Sequence, residues 1–517
     1  MRALQAALAV AVACAMAAGT ATAHARRAGP ATFYVGAAKA DVTPTAHELG
    51  EGFYLGGYGI GPVHEAKGVL RPIYFRVIAI ADRHGNQAVV GALDSQGYSI
   101  AYQNGPFGFA DIESYIQDHL GIPASHIVLQ ATHTHNGPDE IGVWGGVPVD
   151  YMARITAAME QAIERAVAAE QPAHLKWGSA NMTGFSGTFG SNTDATNTGD
   201  NQDYPIDNQL RVLQATSPSD GSVIATLVNY SSHPTIYGPL NLVAPDWPGA
   251  TATYLESDEQ AMPAGTQYGY PGSTAVVTIG AVGHTWPAGI PAGDTDPGIV
   301  PAKSTDNNFP ADQFGNAVAQ KAIDALSGGR GVYLDRSVVG GTMRDVYVEN
   351  TNPVLLVAAN EPANNTPLGG YKIERSTTPP WGYGDIFVSH VTTLRVGDIP
   401  LYAVPGEPYP SIKFSLDDQV RAPVQFVFGL ANDQLGYVEE PADYNGAFQC
   451  SATDEWFFTI SPIFGGDVER LSRGNARALG FRVTGSPLAA YGPGQIPPST
   501  NCTMQQISQG PGGLPVG

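Results

Sequence analysis

Three short apolar runs in this chain each open directly onto histidine. Ile127–Gln130 runs into Ala131-Thr132-His133-Thr134-His135-Asn136-Gly137-Pro138, and Val223–Tyr230 runs into Ser231-Ser232-His233-Pro234-Thr235. Thr274–Ile279 runs into Gly280-Ala281-Val282-Gly283-His284, and a fourth run, ending at Val404, leads into Pro405-Gly406-Glu407. The whole chain has only 12 histidines, so their placement at strand ends is informative. Loops splay apart at the strand ends of α/β sheets, and ligand sites collect there. Neutral imidazoles and a carboxylate brought together are the donors a catalytic Zn²⁺ takes, with one position left for water or substrate. The His133-x-His135 spacing places both side chains of an extended segment on the same side. One strand-end histidine alone is usually a hydrogen-bonded structural residue; four converging strand ends are what point to a metal.

The elements that must position these residues follow from periodicity and stop signals. Ile73–Ala81 and Gln87–Leu93 are β-branched runs around Arg83-His84-Gly85-Asn86 and read as a hairpin. Phe109–Leu120 has helical spacing and stops at Gly121 and Pro123; Val149–Glu170 carries Tyr151, Ile155, Ala162, Ile163, Ala166 and Val167 on one face. Asn316–Leu326 reads as a helix, Val391–Val396 with Ile399–Val404 as a hairpin around Gly397-Asp398, and Val424–Leu430 as a strand. Helices alternating with buried strands predict a mixed α/β domain. Thr183–Asp207 reads as a long polar loop; its Asp194, Asp200 and Asp203 fit no calcium-loop spacing. A rival chemistry, serine hydrolysis, has one candidate: Ser99 in Gly97-Tyr98-Ser99-Ile100-Ala101, which lacks the final glycine of a nucleophile elbow. Gly56-Gly57-Tyr58-Gly59-Ile60-Gly61 has no Lys-Ser/Thr after it and reads as a turn, not a phosphate loop.

Composition narrows the classes. The 517 residues include 26 Lys+Arg against 47 Asp+Glu, a net charge of −21, and 43% are hydrophobic. That apolar share is close to the roughly 45–50% of globular proteins and excludes a solvated disordered chain. The acidic balance excludes nucleic acid or anionic membrane as the main partner. Arg2, the apolar run Ala3–Ala18 and Ala21-Thr22-Ala23 read as a signal peptide cleaved after Ala23, predicting a secreted or periplasmic protein with a flexible stretch over 24–34. No later run approaches ~18 unbroken apolar residues, so no stable membrane anchor is expected. In an exported chain, Cys450 and Cys502 form a disulfide most simply, the alternative being two unpaired core residues.

Beyond these physical readings, the motifs resemble a known family, the neutral, non-lysosomal ceramidases and their bacterial relatives. The resemblance rests on Val35-Gly36-Ala37-Ala38-Lys39-Ala40-Asp41-Val42-Thr43-Pro44, on Gly56-Gly57-Tyr58-Gly59, and above all on Ala131-Thr132-His133-Thr134-His135-Asn136-Gly137-Pro138. Ser232-His233-Pro234-Thr235, Pro405-Gly406-Glu407 and Gly429-Leu430-Ala431-Asn432-Asp433-Gln434-Leu435-Gly436-Tyr437 follow in the family's order, so the likeness runs from about Val35 to about Tyr444. It implies one Zn²⁺ held by His133, His233, Glu407 and Tyr437, with His135 beside it as hydrogen-bond donor or proton shuttle. It also implies one large ceramidase-like α/β domain over 35–485 followed by a Gly/Pro-rich tail over 486–517. The immunoglobulin-like C-terminal domain of that family is expected to be missing.

Two departures bear on the substrate. Gly283-His284-Thr285-Trp286-Pro287-Ala288 stands where the family has Gly-Asn/Asp-x-Ser-Pro-Asn, so Trp286 replaces a serine implicated in catalysis. Gly184, in Asn181-Met182-Thr183-Gly184-Phe185-Ser186, stands where the family has an active-site arginine. His284 and Thr285 become candidates for polar catalytic contacts in a remodelled pocket, with a purely structural His284 as the alternative. The expectation is a secreted zinc-dependent amidohydrolase acting on an N-acyl amide or an ester, through water activated by zinc, with a small-molecule or lipid-like acyl substrate. The alternatives are a catalytically impaired relative that binds acyl lipid or glycan, and the serine hydrolase using Ser99.

Overall fold

The first ten strands are β1 (Thr32–Asp41), β2 (Tyr74–Ala81), β3 (Gln87–Leu93), β4 (Ile127–Ala131), β5 (Gln171–Asn181), β6 (Ser186–Thr188), β7 (Gln209–Thr216), β8 (Val223–Tyr230), β9 (Thr274–Ile279) and β10 (Thr285–Pro287). This computed structural model describes residues 30–59, 61–188, 205–256, 269–290, 309–349, 371–372, 374–376, 384–439 and 464–485. The signal peptide, the C-terminal tail, Asp194, Asp200, Asp203 and the Cys450–Cys502 pair lie outside the described residues.

Eight of the strands form one sheet in the order β4-β3-β2-β1-β5-β7-β8-β9, with Val332–Tyr333 paired to β5. Most pairs are antiparallel, but β3–β4 and β8–β9, at the two ends of the order, are parallel. A parallel pair needs a long crossover, and a helix lies on each: Phe109–Leu120 between β3 and β4, and Asp246–Glu256 between β8 and β9. The first of these ends where its stop signal predicts, with Gly121 at φ 71°. Two βαβ units therefore sit at opposite edges, and their strands β4, β8 and β9 are the three that end in histidine.

Those edges meet because the sheet curls until β9 returns toward β2 and β3. The gap between β4 and β9 is closed by one side chain and one loop. The Gln130 amide, on β4, donates to the Ile279 carbonyl (2.8 Å) and accepts from the Ile279 N–H (3.1 Å), standing in for a strand residue. It also donates to the Gly429 carbonyl. The segment Gly429–Asn432 wedges between the same edges, with Gly429 N–H bonded to Ile279 and Asn432 N–H bonded to Leu129. The Asn432 side chain accepts from Leu129 N–H (2.8 Å) and donates to Ile127 (3.1 Å).

Both faces of the main sheet are covered, which is why its strands read as continuous apolar runs. On β2, Val77 and Ala79 pack with Ile112, Ile155 and Val318 from the helices Phe109–Leu120, Val149–Ala168 and Phe309–Leu326. The alternate residues Ile78 and Ile80 pack on Leu394, Leu401 and Phe426 of a second sheet. That sheet runs in the order Val339–Glu349, Gly384–Val396, Ile399–Ala403, Phe426–Phe428. Its other face meets Ile412, Leu416 and Val468 of the helices Pro410–Gln419 and Phe464–Ala478. The architecture is mixed α/β, as the alternation of elements predicts. The long loop expected over 183–207 is different at its start: β6 lies there and pairs with β10, placing Gly187 opposite Trp286. Among the described residues no helix is long and apolar enough to cross a membrane.

Candidate metal centre

His133 and His135 leave β4, His233 leaves β8, and Glu407 follows Ile399–Ala403; all four are buried. The expected extended His-x-His segment is corrected, because His133 takes a left-handed conformation (φ 64°) and the chain turns at Thr134–Gly137. A left-handed histidine is strained relative to extended backbone. The pair still meets, with Nε2 of His135 3.3 Å from Nε2 of His133 and the rings nearly perpendicular. Non-glycine residues with positive φ, among those described, are His133, Asp246, His284, Leu430 and Asn432. All lie in the loops that surround this cluster or in the wedge that closes the sheet.

The hydrogen bonds fix which nitrogen of each ligand candidate is bare. His133 Nδ1 lies 2.8 Å from the Gln96 carbonyl, and His233 Nδ1 lies 2.8 Å from the Thr285 carbonyl. A carbonyl only accepts, so each Nδ1 carries the proton and each neutral ring presents an Nε2 lone pair. Both Nε2 atoms aim at the same oxygen, Glu407 Oε2, at 3.3 and 3.1 Å. With both rings neutral, two lone pairs face one carboxylate oxygen, an arrangement that a cation among them would satisfy. The other oxygen, Glu407 Oε1, accepts from the Gln434 amide at 3.3 Å. Burial opposes ionisation of Glu407, yet in the metal-free site the charge and N–H donation of protonated His133 and His233 hold its carboxyl well below the usual carboxylate range. Nitrogen atoms of His133, His135 and His233 all lie within 4.8 Å of one another, so this buried triad could hold a metal ion. An imidazole and carboxylate donor set of this kind fits zinc.

The remaining site candidates take different places. Tyr437 pairs its backbone with Glu407 in a short parallel ladder, and its ring centre is 6.4 Å from that of His233. Thr285 acts through its main chain: its carbonyl accepts from both the N–H and the ring of His233, while its hydroxyl donates to Gly283. His284 is buried and stacks against Tyr409 at 6.1 Å, apart from the group of three imidazoles. Gly184 sits at φ 89° in the turn from β5 into β6, where any side chain would be strained. Ser99 is fully buried with its amide bonded to the Tyr102 hydroxyl, and the next helix begins only at Phe109, so no nucleophile elbow forms.

Several contributors have no contact with the centre that the sequence assigns them. Trp286 lies flat on His233, 4.8 Å between ring centres and 9° between planes. Tyr58 meets His135 edge-on at 5.0 Å. Burial, then the neighbouring His133 and His233, pushes the pKa of His135 well below that of an ordinary histidine. Beneath the cluster, the Trp247 indole donates to the His233 carbonyl at 3.3 Å. Asp246, at the start of that helix, accepts from Trp247 N–H (2.7 Å) and Tyr237 N–H (3.0 Å).

Burial pushes the Asp246 carboxyl up to about 7. Its folded value lies above its unfolded value, so its contribution to stability is complete at low pH and is lost as pH rises toward 7. Asp246→Asn is therefore expected to gain on the wild type between pH 4.5 and 7.5, as read by the difference in Tm at each pH. A difference that stays constant over that range would contradict this account of Asp246.

No protein-family profile matches the chain, and no curated protein sequence matches it. Solved structures do. Neutral ceramidase from Pseudomonas aeruginosa superposes with a TM-score of 0.63 at 18% identity, covering 87% of this chain and 74% of that one. The chain has a neutral-ceramidase-like fold. A ceramidase complexed with C2 gives a TM-score of 0.62, also at 18% identity, covering 89% of this chain and 77% of its own. In this ceramidase-like fold the buried histidine triad and Glu407 occupy the junction of the two sheet edges, where β4 and β9 are joined by Gln130.

Proposed function

We propose that this protein is a secreted zinc-dependent amidohydrolase that cleaves an N-acyl amide, or an ester of similar shape. The observation that carries the reading is the aim of two bare imidazole nitrogens, of His133 and His233, at one buried carboxylate oxygen of Glu407. Secretion rests on the signal-peptide pattern ending at Ala23. The choice of an acyl substrate rests on the ceramidase motifs and on the fold shared with ceramidases.

In this reading His133, His233 and Glu407 hold the ion and Tyr437 completes the set. Bound zinc supplies Lewis acidity and brings the pKa of a water molecule to roughly 7. Gln434 keeps Glu407 Oε1 occupied, so that Oε2 faces inward. His135 is the general base. Its depressed pKa keeps the ring neutral at neutral pH, so that its unprotonated nitrogen can take a proton from the attacking water and return it to the leaving amine. Tyr58 and Trp286 keep bulk water from the rings of His135 and His233. A second reading, a binding protein without turnover, is favoured only by the indole of Trp286 over one face of His233.

The test is zinc content of purified protein together with turnover on a panel of N-acyl amides and esters. Zinc with turnover supports the hydrolase, zinc with binding alone supports the second reading, and absence of zinc removes both. Gly57 provides a finer check. It has φ 99°, and a Cβ there would collide with the His135 ring. Gly57→Ala is expected to displace His135 and lower kcat by roughly 10²-fold with zinc retained, since misplacement of a catalytic group by ~1 Å costs that much. Unchanged kcat would show that His135 placement does not matter.

A further inference from the structure

Two partly exposed aromatic side chains lie against the buried cluster. His133, His135, His233 and Glu407 are buried, whereas Tyr58 and Trp286 are each partly exposed. Both contact His135 edge-on, Tyr58 at 5.0 Å and 75°, Trp286 at 6.3 Å and 77°. Each is anchored. Tyr58 donates its hydroxyl to the Thr235 carbonyl at 3.2 Å, two residues beyond His233. Trp286 is fixed by the β6–β10 ladder and by its stack on His233, and the preceding residue, Thr285, holds the proton-bearing Nδ1 of that histidine.

Two glycines and one imidazole, His64 edge-on to Tyr58 at 6.1 Å, adjoin these two rings. Gly187 is the cross-strand partner of Trp286, and paired residues of a ladder share one face. Gly57, beside Tyr58, packs its backbone directly on the His135 ring. The partly exposed side of the cluster therefore offers flat rings at fixed angles, with glycine backbone and the His64 imidazole beside them. Aromatic surfaces of this kind favour a flat partner, through offset or edge contact, over a puckered group of equal size.

We infer that Trp286, with Tyr58, sets substrate choice, and that the site takes amides whose acyl group is flat, aryl or short and planar, in preference to bulky puckered ones. This rests on the amidohydrolase reading and deepens it. Trp286 is then the specificity-determining residue, because it covers a face of a proposed ligand and is itself partly exposed.

The experiment is calorimetric binding of two metal-directed probes of matched size, benzohydroxamate and cyclohexanecarbohydroxamate, to zinc-loaded wild type, Trp286→Phe and Trp286→Ala. Zinc content and Tm of each are measured alongside. The wild type is expected to bind the flat probe roughly five- to tenfold more tightly, as one aromatic contact provides. Trp286→Phe should keep most of that preference, and Trp286→Ala should reduce it to within about twofold at full zinc content. A wild type without preference, or a Trp286→Ala protein that retains it, would overturn the inference while leaving the hydrolase reading standing. A wild type that holds no zinc would overturn both.

Discussion

Alanine in place of His233 is expected to leave the protein with less than about a tenth of the wild-type zinc and to lower amide hydrolysis by more than about 10³-fold. His233 loses more than one donor atom in that change. Its Nε2 is one of two lone pairs aimed at Glu407 Oε2, and its ring is the surface on which Trp286 lies. Without it, Glu407 faces His133 alone, and the β10 strand loses the side chain that its Thr285 carbonyl holds. Loss of a residue that only orients a ligand typically costs 10–100-fold in affinity, so removal of a ligand should exceed that. Metal analysis of the dialysed variant, with its Tm as a folding control, reads the outcome. Wild-type zinc content in His233→Ala would contradict the proposed ligand set.

His135→Ala should behave differently. Zinc is expected to stay within about twofold of the wild type, while kcat falls by about 10²–10⁴-fold, the usual contribution of a positioned general base. The structure makes this a discriminating test, because His135 Nε2 is close enough to its neighbours to serve as a third ligand instead. Loss of zinc together with kcat would make it a ligand. Retention of both would remove it from the mechanism.

How much of this was legible in the sequence depends on whether the cause was local. Strand-end histidines are a local pattern, and the structure does gather His133, His135, His233 and Glu407. The helix Phe109–Leu120 was equally plain, since Gly121 marks its end. The route by which those residues meet was not visible. It depends on Gln130 acting as a surrogate strand residue between β4 and β9, and a glutamine in an apolar run carries no sign of its partner 149 positions away. By resemblance the motif ending at Tyr437 supplies one ligand, yet its Leu430 and Asn432 chiefly wedge the sheet closed.

Other misses share that long-range origin. The His-x-His pair was expected on an extended segment, but the turn at Thr134–Gly137 requires a left-handed His133. Thr285 was singled out for a polar side chain, whereas its carbonyl is what orients His233. Trp286 was noticed as a departure from a family pattern. Its stack on His233 follows from the β6–β10 ladder, whose first strand was hidden in a run of polar and glycine residues.

The central claim is that zinc among His133, His233 and Glu407 is required for turnover. It is tested most directly by measuring hydrolysis of one N-acyl amide substrate before chelation, after chelation and dialysis, and after return of stoichiometric zinc. Activity should fall below about one hundredth on chelation and recover with zinc. Full activity in metal-free protein would contradict the account.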